Sequence, residues 1–315
     1  MPDILVVGSL NADLVVRAPR FPQPGETIRG EDLQVIPGGK GANQAVAAAR
    51  QRTSVSMLGR VGKDNFGDFL LENLKSNQVN SQLVQRDDSS TGTAIIVVNS
   101  DGQNSIVLSA GANGKVNEED VKAASFSDYK LLLLQLEIPT STVLSAARHA
   151  HENGLRVILN PAPARELPNE LISLADFLIP NETELGLLTG LPVKDMNSAE
   201  QAARALLGVG AKNVIVTLGS KGALIVTNEQ VLHIDAYKVN VVDTTAAGDA
   251  FIGGFAAKLL ESDSLLSDIQ EQAPALQNAV RYGCSCGALA TTKFGAQPSL
   301  PTKEEVERFM SLRAR

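Results

Sequence analysis

The sequence predicts an α/β protein: a doubly wound, mostly parallel sheet with helices on both faces, plus a small antiparallel β lid. Two observations carry the first part. Short apolar runs rich in β-branched residues alternate with Ala-rich stretches of helical length along most of the chain. Those runs are continuous rather than alternating in polarity, as expected of strands buried on both faces of a parallel sheet. A third observation adds the lid. Two stretches break the rhythm and hold extended pieces without a helical period.

Ile4-Leu5-Val6-Val7 is the first expected strand. Residues 11–36 follow, with Pro19, Pro22 and Pro24, and form the first irregular stretch. Residues 45–50 are helical. In the second irregular stretch, 91–109, two apolar segments at 94–98 and 105–108 flank Asp101-Gly102, a strong hairpin-turn pair. Buried strands are expected again at 131–134, 157–159, 177–179 and 214–216, with helices at 143–152 and 199–207 between them. A strand at 239–242 then leads to a helix starting near Ala247, whose Phe251, Phe255 and Leu259 recur every four residues. Residues 1–315 are expected to form one domain, with its lid built from about 11–36 and 91–109. No internal repeat or low-complexity linker interrupts it.

Of the 315 residues, 43% are apolar and 20% charged, which argues against a disordered or fibrous chain. No run approaches the length of a membrane span, and the start of the sequence has no secretory signal pattern, so a cytoplasmic location is expected. The 28 basic and 35 acidic residues give a net charge of −7, which argues against nucleic-acid or membrane-surface partners. An anionic ligand would need local recognition by helix N-termini, a few cations and metal ions. Cys284 and Cys286 are two apart on an expected helix and read as small core residues. His149, His151 and His233 have no metal-ligand spacing, which makes a zinc hydrolase a poor fit.

Four segments carry chemistry. The sharpest is Asp243-Thr244-Thr245-Ala246-Ala247-Gly248-Asp249-Ala250-Phe251. The small residues Ala246, Ala247 and Gly248 let a ligand approach backbone amides at a helix start, where the dipole favours negative charge. Asp249 in that first turn fits two roles: a stabilising dipole partner, or a base beside an anion hole. The second segment, Pro37-Gly38-Gly39-Lys40-Gly41-Ala42-Asn43-Gln44-Ala45, lacks P-loop spacing but again joins Gly-rich backbone to a helix. Lys40 and Asn43 suit a polyol. In the third, Asn181-Glu182-Thr183-Glu184, the spacing fits both a carboxylate for hydrated Mg²⁺ and a capping box. The fourth, Thr217-Leu218-Gly219-Ser220-Lys221-Gly222, is a Gly-rich loop after a strand.

Together, the runs at 38–45 and 243–251 resemble the two signatures of the PfkB carbohydrate kinase family. Asn181-x-x-Glu184, Gly219-Ser220-Lys221-Gly222 and Gly295-Ala296-Gln297-Pro298-Ser299 follow in the family's order. The opening Gly8-Ser9-Leu10-Asn11-Ala12-Asp13 is similar to that of its ribose-phosphorylating branch. The resemblance implies ATP-dependent phosphorylation of D-ribose at the 5-hydroxyl, with Asp249 as general base and an anion hole at Ala246, Ala247 and Gly248. It implies that Asn11, Ala12, Asp13, Gly39, Lys40, Gly41, Ala42, Asn43 and Glu137 serve the sugar. For ATP and Mg²⁺ it implies Asn181, Glu184, Thr217, Leu218, Gly219, Ser220, Lys221 and Gly222, with Gly248, Asp249 and Cys284. Cys284 stands where that branch often has Asn near the adenine or its ribose. For a K⁺ site it implies Asp243, Thr245, Ala290, Lys293, Gly295 and Ser299. A homodimer joined through the lid sheets is the implied assembly. The alternatives are a kinase for another sugar or a nucleoside, and a sugar-binding sensor without catalysis. The intact Asp249 segment argues against the sensor, and Asn11, Asp13 and Arg17 look directed at a polyol.

Overall fold

The computed structural model describes residues 3–262 and 269–313. The chain opens with β1 (Ile4–Val7), β2 (Asn11–Arg17), β3 (Gln34–Gly38), α1 (Lys40–Arg50) and β4 (Val55–Gly62). Next come α2 (Asn65–Ser76), β5 (Asn80–Asp87), β6 (Gly92–Val98), β7 (Asn104–Ser109) and α3 (Glu118–Lys122). The middle holds β8 (Leu131–Leu134), α4 (Thr140–Glu152), β9 (Arg156–Leu159), α5 (Asn169–Leu174) and β10 (Phe177–Leu178). It continues through α6 (Glu182–Thr189), α7 (Met196–Val209), β11 (Asn213–Thr217), β12 (Ala223–Val226) and β13 (Val231–Ile234). Four helices end the chain: α8 (Ala247–Leu260), α9 (Ile269–Ala290), α10 (Ala296–Ser299) and α11 (Lys303–Ser311).

Nine strands form the main sheet in the order β13-β12-β11-β10-β9-β8-β1-β4-β5. It is parallel except at β11-β12 and β12-β13. Its central strands are apolar at every position because both faces are covered. Ile4 and Val6 enter one core cluster with Leu131 and Leu133, while Leu5, Val7, Leu132 and Leu134 enter the other. The expected parallel strands and the helices between them are all present.

Two expectations change. Residues 239–242 are not a strand. No neighbouring strand receives them; the Val242 and Asp243 amides donate to the Thr291 carbonyl instead, and Val241 and Val242 are exposed. Their β-branched composition had suggested pairing that the topology does not offer. The lid is the second sheet, β3-β2-β6-β7. Its outer pairs are antiparallel as expected, but β2 and β6 run parallel at its centre. The chain between them crosses the main domain through α1, β4, α2 and β5, so it can return in the same direction.

The parallel strands all point their carboxyl ends at one edge, where ligands bind in such sheets. The residues just beyond those ends are Gly8 and Ser9, Gln135 to Glu137, Asn160, Asn181 and Leu218. β2 begins at the same edge with Asn11, so the lid contributes its first residues there.

Candidate active site

α8 starts without a side-chain cap. Ala246 precedes it in the left-handed region, at φ 58°. The turn is fixed instead by Asp243. One of its oxygens accepts from the Thr245 amide (2.9 Å) and hydroxyl (2.6 Å), and the other from the Gly295 amide (2.9 Å). Burial works against the charged form, but these bonds outweigh it and hold the carboxyl below its usual range. Of the three expected anion-hole amides, that of Ala247 donates to the Thr244 carbonyl (3.2 Å), closing the turn rather than facing a ligand. Gly248 has the position of an unpaired first-turn donor, with open space beside its Cα.

Asp249 is buried and accepts from the side-chain amides of Asn43 (2.9 Å) and Gln44 (3.0 Å). Burial raises its pKa, against the opposing pull of Lys40 and these two donors. Close packing of helices places the donors there. One turn further on, Gly253 of α8 lies against Ala47 and Ala48 of α1, where a Cβ would strike backbone. Glycine and alanine thus bring α1 and α8 near enough for Asn43 and Gln44 to reach the carboxylate.

The N-terminus of α1 is already filled. Glu137 accepts from the Lys40 amide (3.0 Å) and the Ser9 hydroxyl (2.6 Å), and Ser9 accepts from the amides of Gly41 and Ala42. The expected approach of a ligand to this helix end is therefore corrected: the end is closed by the protein's own groups. Gly39, Gly41 and Ala42 serve as backbone, while Lys40 and Asn43 offer side chains. The Lys40 ammonium is buried, which would lower its pKa, yet Asp249, Glu137, Glu184 and Asp13 outweigh that and raise it. Asp13 is pushed up to about 7, first by burial and then by the like charges of Glu137 and Asp249. Its carboxyl lies where a side chain on Gly38 would collide with it. Ala12 is buried beside it in β2.

A cavity of about 210 Å³ lies between the starts of α1, α6 and α8, and Asn11, Asp13, Asn43 and Glu137 are not on its wall. Lys40, Asn181, Glu184, Thr217, Thr244, Ala246, Ala247, Gly248 and Asp249 line it, with Asn160, Ala162, Ile179 and Ile252. Asn181 caps α6 and forms the full capping box with Glu184. Glu184 also lines the cavity, so capping α6 does not remove it from the site. Burial raises its pKa against the Asn181 bond and Lys40. Thr217 is bridged to Asn181.

Other expected residues sit apart from this cavity. Leu218 is buried; Gly219, Ser220 and Lys221 form an exposed turn beyond it, and Gly222 packs against the backbone of Ile234 and Ala236. Cys284 packs in the core cluster and does not line the cavity. Arg17 lies over the Phe294 ring, 4.6 Å from its centre, where its charge also favours the ionised Asp243 carboxylate. Ala290 is buried, the Lys293 ammonium pairs with Glu305, and the Ser299 hydroxyl donates to Ala296. Thr245 and Gly295 are joined through Asp243, one on each carboxylate oxygen. Among the described residues no cluster of three or more His, Cys, Asp or Glu could hold a metal ion alone, and no helix is long and apolar enough to cross a membrane.

Sequence reasoning missed Asn113, Gln135 and Asn160. Asn113, buried, donates to Asn11 Oδ1 (2.7 Å) and clasps Leu10 through both amide and carbonyl. Asn160 follows β9, so the carboxyl-end rule offered a signal for it. Gln135 follows β8 and had the same signal, whereas Asn113 offered none.

The description "pfkB family carbohydrate kinase" matches residues 1–303. A ribokinase of Staphylococcus aureus (strain COL) is 40% identical over 309 residues, covering 97% of this chain and 98% of that protein. A deoxyribokinase of Salmonella typhi is 41% identical over 314 residues, covering 98% and 99%. The solved structure of Arabidopsis thaliana ribokinase complexed with ribose and ATP superposes with a TM-score of 0.88 at 34% identity, covering 98% of each chain.

The raised pKa of Asp13 has a stability consequence. Its folded value of about 7 lies above the ordinary 3.8, so the folded state holds a proton that the unfolded chain releases between those values. Stability contributed by the neutral carboxyl is lost as pH rises through about 7. Asp13→Asn should therefore raise Tm more at pH 8 than at pH 5. Equal changes in thermal melts at both pH values would refute a buried, proton-binding Asp13.

Proposed function

This chain belongs to the pfkB family of carbohydrate kinases, and we propose that it transfers the γ-phosphoryl group of ATP to the 5-hydroxyl of D-ribose, giving ribose 5-phosphate and ADP. One observation carries the reading: a buried carboxylate, Asp249, in the first turn of a helix, sharing a cavity with Lys40 and Glu184. The relatives named ribokinase direct the choice of sugar and nucleotide.

In this reading the sugar lies among Asn11, Asp13, Lys40, Asn43 and Glu137. Asn43 Oδ1 is buried with no partner among the described residues, and a sugar hydroxyl would satisfy it. Asp249 accepts the hydroxyl proton as that oxygen attacks the γ-phosphorus. Burial raises its pKa, the direction that strengthens it as a base. Lys40 and the Gly248 amide stabilise charge on the transferred group. Such a transfer depends on positioning and electrostatics more than on covalent chemistry.

Asn181, Thr217 and residues 218–222 would hold the nucleotide. Mg²⁺ fits the donor set: Glu184 offers hard oxygens with spare lone pairs on the cavity wall, the ATP phosphates supply the remainder, and no all-protein cage is needed. Bound there, the ion neutralises phosphate charge. K⁺ would sit against Asp243, Thr245 and Gly295, with 290, 293 and 299 nearby, and would steady the turn before α8. The two buried free cysteines suit a cytoplasmic enzyme. Ile95 and Val107, paired across β6 and β7 on one face of the lid, are at least half exposed, as are Ile106 and Leu108 on the other, and pairing of two lids would cover one of these apolar faces.

A second reading has its own support. The deoxyribokinase relative is as similar as the ribokinases, so 2-deoxyribose is the competing substrate. An ATP-coupled assay across pentoses, hexoses and nucleosides separates them; kcat/KM should be highest for ribose, and a higher value for 2-deoxyribose would transfer the assignment.

Asp249→Asn should reduce kcat by about 10²–10⁴-fold, the usual contribution of a general base, while ribose affinity by calorimetry changes little. Retention of more than a tenth of the wild-type rate, about one log unit, would remove Asp249 from the role. Replacing a large organic cation by KCl should raise kcat more than NaCl does at matched ionic strength; equal rates in all three would leave Asp243 as a turn residue. Light scattering should give the mass of a dimer, and Val107→Asp should convert it to a monomer.

A further inference from the structure

The amides around Asp249 form a chain with one possible polarity. A carboxylate only accepts, so Gln44 must turn its Nε2 toward Asp249 Oδ1, at 3.0 Å. Its Oε1 then faces away and accepts from Gln135 Nε2, at 2.6 Å. The second Gln44 N–H points at Asn160 Oδ1 (3.3 Å), and Asn160 Nδ2 donates to the Ile179 carbonyl (3.0 Å). All these side chains are buried. The chain ties the ends of β8, β9 and β10 to α1 and through it to α8.

This arrangement leaves a defect. Gln135 Oε1 is buried with no partner among the described residues, a state that ordinarily costs about 1–3 kcal/mol. It lies where a side chain on Gly8 would begin, so Gly8 must be glycine to admit it. Flipping the Gln135 amide would set two carbonyl oxygens against each other and release Gln44. The fold keeps the unpaired acceptor and with it the orientation of Gln44.

We propose that Gln44, locked by Gln135, is the positioning residue of the general base: it holds one Asp249 oxygen so that the carboxylate presents a fixed lone pair to the sugar hydroxyl. This rests on the reading of Asp249 as base. Gln44 touches neither reacting atom. Its N–H also favours the ionised carboxylate, so its loss raises the Asp249 pKa further. Lys40 from α1, Asp13 from β2, Glu137 beyond β8 and Glu184 from α6 act on the same carboxylate and stay in place in the variant.

The test uses Gln44→Leu in the full-length enzyme, with kcat and KM measured from pH 5.5 to 9. The expected result is a kcat lower by about 10- to 100-fold, as for a misplaced catalytic group. KM for the sugar should change little, and the acid limb of the kcat profile should move to higher pH. Gln135→Met should shift the same limb by less, and should add nothing in the Gln44→Leu background. A Gln44→Leu profile that superimposes on wild type, or a loss confined to KM, overturns the proposal. If Gln44→Leu does not fold, Gln135→Met decides alone, and an unshifted limb overturns it. Asp249→Asn assayed in parallel separates the two ideas. If that variant stays active, the base assignment fails; if it is inactive while the Gln44→Leu limb is unmoved, only the positioning role fails.

Discussion

The structure depends on keeping one carboxylate charged where it is buried at the wall of a small cavity. Asp249 is buried, and burial alone favours its neutral form. Two amide donors and the Lys40 ammonium oppose that. Lys40 is itself buried and relies on Asp13, Glu137, Glu184 and Asp249 for its charge. Burial pushes Asp13 and Glu184 toward protonation, and the like charges of neighbouring carboxylates add to it. Such a cluster is rich in acceptors and poor in donors. Sugar hydroxyls, and the cations that accompany a nucleotide, are the ligands that relieve that imbalance.

The fold meets this requirement through helix spacing and strand direction. The contact of Gly253 with Ala47 and Ala48 sets how near α8 comes to α1, and Asn43 and Gln44 sit one turn up from it. Any side chain at Gly253 would push the helices apart and lengthen both bonds to Asp249. Parallel strands bring the other partners to the same edge from distant parts of the chain. Gln135 and Gln44 are 91 residues apart, and Gln44 and Asp249 are 205. The apolar double layer beneath, where every residue of β1 and β8 is fully buried, offsets the unpaired acceptors and excess charge above it.

These distances explain what was legible in the sequence. The parallel strands and their helices were, because burial on both faces writes a local pattern such as Leu131 to Leu134. The Asp249 turn was, because small residues and an acid at a helix start are neighbours in the chain. Pairing was less so. Residues 239–242 have strand composition but no strand beside them, and the parallel junction of β2 with β6 depends on the path of the chain between them. The roles of Asn113, Gln135 and Gln44 were hidden for the same reason: an amide's partner is set by tertiary approach, and nothing in its flanking residues announces it. Conversely, the helix start at Lys40 read as a Gly-rich end that a ligand could approach, with Lys40 and Asn43 suited to a polyol. It is closed by Glu137, 97 residues away.

The lid joins the surface of the molecule to this buried chemistry. β2 begins with Asn11 and Asp13 in the acid cluster and ends with Arg17 over Phe294, next to the Gly295 amide that holds Asp243. One strand thus reaches the acid cluster around Lys40 at one end and the turn leading into α8 at the other. Its neighbour β6 carries Ile95 outward, and β7 exposes Ile106, Val107 and Leu108. A partner covering either face would restrain β6 and, through seven paired positions from Asn11 to Arg17, restrain β2 as well. Asn113 already holds the first of those positions from below. Covering the outer sheet would therefore also restrain Asn11 and Asp13, because β2 and β6 are paired along their whole common length.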